Sequence, residues 1–311
     1  MENKNKGKEC SHNHSHGHSH SHSHSNGHGH MHNHSTSAKN IKVAFLLNFT
    51  FSIIEIFGGI LTNSSAILSD AIHDLGDSLS LGLAMIFEKQ SEKNPNKIFT
   101  YGYKRLSVIS AIINILVLAI GTVLVLRESI ERLFSPQPIV AEGMLFLAII
   151  GVVINGVSVF RMKSSIKISE KAVMLHLLED LFGWIAVFIV SIAVMFTDFY
   201  ILDPILSLII CFIMIRNIYY GIKSLYKIIM QATPEGVEVS KIENEIFDKI
   251  DGISIESFRV WSLDGESNVA SLNILTNDIS SIKDIFSIKD EVKHILANNN
   301  IEDVTVEISS R

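Results

Sequence analysis

Two short runs in the sequence combine residue types that bind metal ions, and both sit inside strongly apolar surroundings. The first is Ser69-Asp70-Ala71-Ile72-His73-Asp74-Leu75-Gly76-Asp77, and the second is His176-Leu177-Leu178-Glu179-Asp180. Each contains a His-x-x-x-Asp pair, His73 with Asp77 and His176 with Asp180. On a helix, residues four apart lie one above the other, so each pair presents an imidazole and a carboxylate on one face. Two such helices packed face to face supply two nitrogen and two oxygen donors, a set suited to four-coordinate zinc. Magnesium and calcium need more oxygen ligands and copper(I) prefers sulfur, so Zn2+ fits this donor set best. A single pair would be no more than a polar contact between buried helices. Two pairs in separate apolar runs point to metal binding, because ionisable groups in such runs are costly and mark function.

The first run offers a second register, Asp70 with Asp74, on nearly the same face. An all-carboxylate pair would relax discrimination against manganese or iron(II), since imidazole favours zinc-like ions. The sequence leaves the register open, although symmetry with the second run favours His73 and Asp77. Glu55 is expected either to carry a proton or line an ion path, or to make a buried, protonated contact between helices. Asn48, Asn114 and Asn155 are predicted to hydrogen-bond between helices. Asp203, just before Pro204, is predicted to cap a helix N-terminus.

The elements that must position these residues follow from hydropathy. Apolar stretches recur near 41–62, 65–87, 105–127, 139–161, 172–197 and 203–221. Each is close to the roughly 20 residues that a helix needs to cross a hydrocarbon core. Backbone in lipid must satisfy its own hydrogen bonds, so helices are the natural assignment. The competing assignment is a large soluble helical core, which six such spans in succession argue against. Lysine and arginine alternate sides. Lys39 and Lys42 precede the first span, and Lys89, Lys93, Lys97, Lys104 and Arg105 lie between the second and third. Arg161, Lys163, Lys167 and Lys171 lie between the fourth and fifth, and Lys223 and Lys227 follow the sixth. The opposite connections carry only Arg127 and Arg132, beside Glu128 and Glu131. The positive-inside bias therefore predicts a multi-pass membrane protein with both termini in the cytoplasm.

Composition agrees with this division of the chain. Of 311 residues, 47% are hydrophobic and 19% charged, with mean hydropathy +0.32. The net charge of −6 comes with no basic face, which excludes nucleic-acid partners. Cys10 and Cys211 are too few for a disulfide framework or a thiolate zinc cage. No secretory signal precedes the first apolar run. Residues 1–38 form a polar tail carrying His12, His14, His16, His18, His20, His22, His24, His28, His30, His32 and His34. It is predicted to be disordered, cytosolic and metal-collecting, in preference to a purification tag or a merely solvated tail. Residues 39–231 are assigned to the six-helix transmembrane domain.

Residues 232–311 read as a small, acidic, soluble domain. Val239, Ile242, Ile246 and Ile250 have helical spacing, and Ile253–Trp261 and Asn268–Thr276 read as strands around Asp264-Gly265. Ile285, Ile288, Val292, Ile295 and Leu296 mark a second helix, and Val304, Val306 and Ile308 alternate as a last strand. This order predicts an α+β sandwich of ferredoxin-like type facing the cytosol.

With these residues in view, the chain resembles the cation diffusion facilitator family, particularly its bacterial zinc-, cobalt- and cadmium-exporting branch, over about residues 41–311. The blocks that carry the likeness are GGILTNSSAILSDAIHDLGDSLSLGLA (58–84), TYGYKRLSVISAIIN (100–114), MLHLLEDLFGWIAV (174–187), DPILSLII (203–210) and MQATPEGV (230–237). The resemblance implies a homodimer with six transmembrane helices per protomer and a cytosolic ferredoxin-like domain that aids dimerisation. It also implies a transport site at His73, Asp77, His176 and Asp180, export of the ion in exchange for protons by alternating access, and a bacterial plasma (inner) membrane location. Proton exchange makes physical sense, because metal ligands must be deprotonated and histidine titrates near neutral pH. No covalent catalysis, ATP coupling or organic cofactor is expected; a phosphate-binding P-loop is absent from the sequence. Four positions depart from the family pattern. Ser107 occupies a position where the family often has Glu. Arg259-Val260-Trp261 stands where relatives show His-Val-Trp, and Asn273 and Asp303 replace two further histidines. His294 alone does not restore such a set, so the soluble domain is expected to serve dimerisation more than regulatory metal binding.

Competing assignments are a transporter of Mn2+, Fe2+, Co2+, Ni2+ or Cd2+, an intramembrane metalloenzyme, and a metal sensor or store. The enzyme would need a general base beside the metal, often as His-Glu-x-x-His, which the sequence lacks, although Glu179 adjoins Asp180. A sensor built on the tail would leave the paired residues of the second and fifth spans unexplained.

Overall fold

Long apolar runs can satisfy their backbone groups away from water only as helices, and this chain forms them where its hydropathy demands. The computed structural model describes residues 37–91, 93, 95–162, 168–276 and 282–310; the histidine-rich tail lies outside them. The first part is helical: α1 Ser37–Thr62, α2 Ser65–Ser91, α3 Leu106–Phe134, α4 Ala141–Met162, α5 Ile168–Thr197 and α6 Leu202–Ile229. Among the described residues, five helices (α1, α3, α4, α5 and α6) are long and apolar enough to cross a membrane. The sixth, α2, is not, because Asp70, Asp74, Asp77 and Glu88 interrupt its hydropathy. It is instead the helix that the others enclose: Ala66, Ile67 and Ala71 are fully buried. Meanwhile large apolar side chains such as Leu61, Phe160, Phe196 and Phe212 stay exposed on the outside. A soluble helical core would hide these groups, so their exposure marks an integral, multi-pass membrane protein.

Two helices outrun their apolar stretches. α3 continues to Phe134, where Arg127 pairs with Glu131 and Arg132 with Glu128, both at i,i+4 spacing. α6 continues through Lys223 and Lys227 to Ile229. Between α4 and α5, Trp184 is almost fully buried and its indole lies over Gly151, where any Cβ would overlap the ring. Trp184 joins Ile67, Met144 and Val187 in one apolar cluster that spans α2, α4 and α5.

Polar contacts tie the helix ends. Asn63, in the turn between α1 and α2, has φ 56, a left-handed value that asparagine tolerates. The Arg132 guanidinium donates to the carbonyl and side-chain oxygens of Asn63 and to Glu128. Asp203 does cap a helix N-terminus, but not that of the helix it begins. It lies within the first turn of α6, whose own N-cap is Ile201, and its carboxylate caps α2. The asparagines divide similarly. Asn114 donates to Ser80 across α3 and α2 at 2.6 Å, whereas Asn155 bonds the Gly151 carbonyl of its own helix.

The second part comprises α7 Val239–Lys249, β1 Ile253–Ser262, β2 Asn268–Thr276, α8 Ile282–Asn298 and β3 Ile301–Ser310. The sheet order is β1-β2-β3, antiparallel between the first pair and parallel between the second. A two-stranded hairpin followed by a helical crossover gives this mixed pairing. Ile242 and Ile246 of α7 and Ile295 and Leu296 of α8 bury themselves against Leu272, Ile274 and Ile301 of the sheet. The turn after β1 uses Gly265 at φ 102 and Asp264, whose carboxylate accepts from the backbone of Glu266 and Ser267. β3 starts at Ile301, earlier than its alternation suggested, because Asn268↔Ile301 already pairs with β2.

Candidate metal centre

α2 carries Asp70, His73, Asp74 and Asp77 on a single stripe about 100° wide, as 100° per residue dictates. The structure brings that stripe against α5. His73 Nε2 lies 4.0 Å from Asp77 Oδ2 on its own helix and 3.9 Å from Asp180 Oδ1 on α5. The three side chains are 20%, 29% and 13% exposed, so the cluster is shielded yet open to an entering ion. A tetrahedral zinc about 2.0–2.2 Å from each donor holds its donors about 3.4 Å apart. These groups therefore stand roughly half an ångström short of that grip. Among the described residues, no three His, Cys, Asp or Glu side chains close on one point tightly enough to hold an ion. The fourth predicted ligand, His176, sits on α5 one turn before Asp180; its side chain lies outside the described residues.

The second register is the more deeply buried one. Asp70 and Asp74 are 6% and 7% exposed, and Asp70 Oδ1 comes close to α5 at Gly183, 3.5 Å from where a Cβ would stand. Glu55 of α1 is fully buried, with Asp74, Asp70 and Asp180 in its neighbourhood. Three helices thus contribute acids to one region, with the imidazole of His73 at its edge. Glu179, by contrast, is exposed on α5 and does not join the cluster.

The C-terminal part with its three-stranded sheet shows no comparable gathering among its described residues. Arg259 pairs in register with Ser271, Asn273 donates to Glu256 at 2.5 Å, and Asp303 lies opposite Val269. His294 on α8 contacts Asn298 at 3.3 Å.

Residue reasoning missed a set of small hydroxyls. Ser69 and Ser207 approach to 2.6 Å, as do Ser207 and Ser129, which links α2, α6 and α3. Serine in an apolar run was the available signal, since a hydroxyl removed from water must find a partner.

Comparison with known proteins places the chain among metal-ion transporters. The family described as the cation efflux transmembrane domain matches residues 41–230. The chain is 32% identical over 277 residues to the cadmium, cobalt and zinc/H(+)-K(+) antiporter of Bacillus subtilis (strain 168), covering 88% of this chain and 89% of that one. It is 30% identical over 241 residues to the zinc transporter ZitB of Pectobacterium atrosepticum, covering 76% and 75%. It is also 28% identical over 272 residues to the metal cation efflux system protein CzcD of Cupriavidus metallidurans, covering 86% and 85%.

Proposed function

The chain belongs to the cation efflux family, and from that premise we propose that it exports divalent transition-metal ions, Zn2+ foremost, from the cytosol in exchange for protons. The observation that carries this reading is His73, flanked by Asp77 on α2 and Asp180 on α5 at 4.0 and 3.9 Å. An inward movement of α5 of about half an ångström would close the His73–Asp180 gap, and a side-chain adjustment within α2 the His73–Asp77 gap; His176, one turn before Asp180, would complete the set. Protonating the imidazoles removes two of the four donors, so protons and metal compete for one site. Alternating exposure of that site converts the competition into exchange: metal loads from the less acidic side and protons displace it on the other.

In this reading α2 is the sixth transmembrane span, buried among the others because it carries the ligands. The lysine- and arginine-rich connections keep both termini in the cytoplasm of a bacterial plasma membrane. The domains divide as a collecting tail (1–38), a transport unit (39–231) and a ferredoxin-like dimerisation module (232–311). The protein works as a homodimer in the bilayer and catalyses no covalent reaction. The exposed position of Glu179 supports this over a metalloenzyme, because it removes the nearest alternative base. One observation favours a broader ion range. Asp70, Asp74 and Glu55 place oxygen donors near the imidazole of His73, and carboxylates suit manganese or iron(II) better than imidazole does.

The test is zinc flux in vesicles holding the purified protein. An acid-inside gradient is expected to accelerate zinc uptake, and an uncoupler to abolish the acceleration. Uptake indifferent to the gradient would refute proton coupling, and absence of flux under any gradient would refute transport.

A further inference from the structure

Asp203 is fully buried, and its carboxylate serves a helix other than its own. Oδ1 accepts from Ser64 Oγ at 2.5 Å and from the Ala66 amide at 3.3 Å; Oδ2 accepts from the Ser65 amide and the Ser65 hydroxyl, both at 2.7 Å. A buried charge is stable only when so satisfied, and here it meets the unpaired amides and positive dipole end of α2. One turn further along, Ser69 and Ser207 tie the same two helices again, and Cys211 Sγ of α6 lies 3.8 Å from Ser69 Oγ. α2 packs along much of its length on α1, α3 and α6 but meets α5 at few points. The metal cluster therefore straddles a seam, with His73 and Asp77 on the helix fixed to α6 and Asp180 on the helix across it.

We propose that Asp203 is a positioning residue for transport: by pinning the N-terminus of α2 to α6, it sets the height of His73 and Asp77 against Asp180. His73 is eight residues beyond Ser65, about 12 Å along the helix axis. A helix transmits an axial shift undiminished over that distance. With His73 Nε2 already 3.9 Å from Asp180 Oδ1 across the seam, a slip of α2 by about 1 Å takes the donors of the two helices out of reach of one ion, a misplacement worth up to about a hundredfold in rate. The residue touches neither metal nor proton path in this account, and the proposal rests on the transport reading above.

The test compares zinc uptake by full-length wild type, Asp203→Asn and Asp203→Ala in vesicles, with KM and kcat measured separately. Both variants are expected to raise KM at least tenfold, Asn less than Ala, because its amide still offers one acceptor. A second arm replaces the pin covalently. In a Cys10→Ser background, Ser69→Cys is oxidised to link with the native Cys211, with and without Asp203→Ala. If pinning is the role, the oxidised triple variant regains the KM of its oxidised Asp203 parent within threefold, and reduction abolishes the rescue. Wild-type KM and kcat in Asp203→Ala would overturn the proposal, as would a defect unchanged once the α2–α6 link has formed. Zinc flux in the wild type run alongside separates these outcomes from failure of the transport reading itself.

Discussion

Removing the Asp180 carboxylate gives the sharpest perturbation of the site, because it deletes the described α5 donor and leaves α2 untouched. Asp180 Oδ1 lies 3.9 Å from His73 Nε2, and its side chain is only 13% exposed, so water has limited access to replace it. Loss of a group that merely orients a ligand lowers metal affinity by about 10–100-fold. Loss of the ligand itself takes one donor of four and one negative charge of two, so about 100-fold is a floor. At 1.4 kcal/mol per tenfold, this is about 2.8 kcal/mol of lost binding. Asp180→Ala should therefore raise the KM for zinc at least that much in acid-inside vesicles read by an entrapped fluorophore. Asp180→Asn keeps an oxygen without the charge and should fall between. α5 should keep its place, since the Trp184–Gly151 contact holds it to α4 one turn from Asp180. An Asp180→Ala protein that transports zinc with a KM within threefold of wild type would refute the assignment.

Three further outcomes follow from the same geometry. Asp77→Ala should match Asp180→Ala in its zinc defect, whereas Asp70→Ala should spare zinc more and shift the ratio of manganese or cobalt uptake to zinc; equal zinc defects would contradict the His73/Asp77 register. Acidifying the metal-loading side should slow zinc uptake, since protons compete with the metal for imidazole nitrogens; a flat profile would count against histidine ligands. Gly151→Val should drive a methyl into the Trp184 ring and cost about 1–3 kcal/mol, seen as a lower unfolding temperature in detergent, and an unchanged temperature would refute that packing.

The elements of this fold were legible in the sequence because hydropathy and β-alternation act locally. The second helix shows the limit. Its apolar run from 65 to 87 was recognised, but Asp70, Asp74 and Asp77 make it too polar to qualify as a span by composition, and only its enclosure by α1, α3 and α6 explains how it tolerates them. The pairing of His73 with Asp180 was also legible, since a repeated i,i+4 motif encodes a shared face. What lay beyond reach were contacts whose partner sits on another helix at no fixed spacing. Asp203 reads as a cap from its neighbour Pro204, yet nothing local says that it caps Ser65 and Ala66, more than 130 residues away. Asn155 failed in the opposite sense: its amide found a carbonyl in its own helix before reaching a neighbour. Helix ends, too, ran past the hydropathy limits where side-chain pairs such as Arg127–Glu131 could carry them.

The central claim is that the transported metal binds between α2 and α5, and locating the ion tests it most directly. Anomalous diffraction at the zinc absorption edge, from crystals of the zinc-loaded protein, should show a peak about 2.0–2.2 Å from His73, Asp77, His176 and Asp180. A peak on Asp70, Asp74 and Glu55 instead, or none between the two helices at saturating zinc, would contradict it.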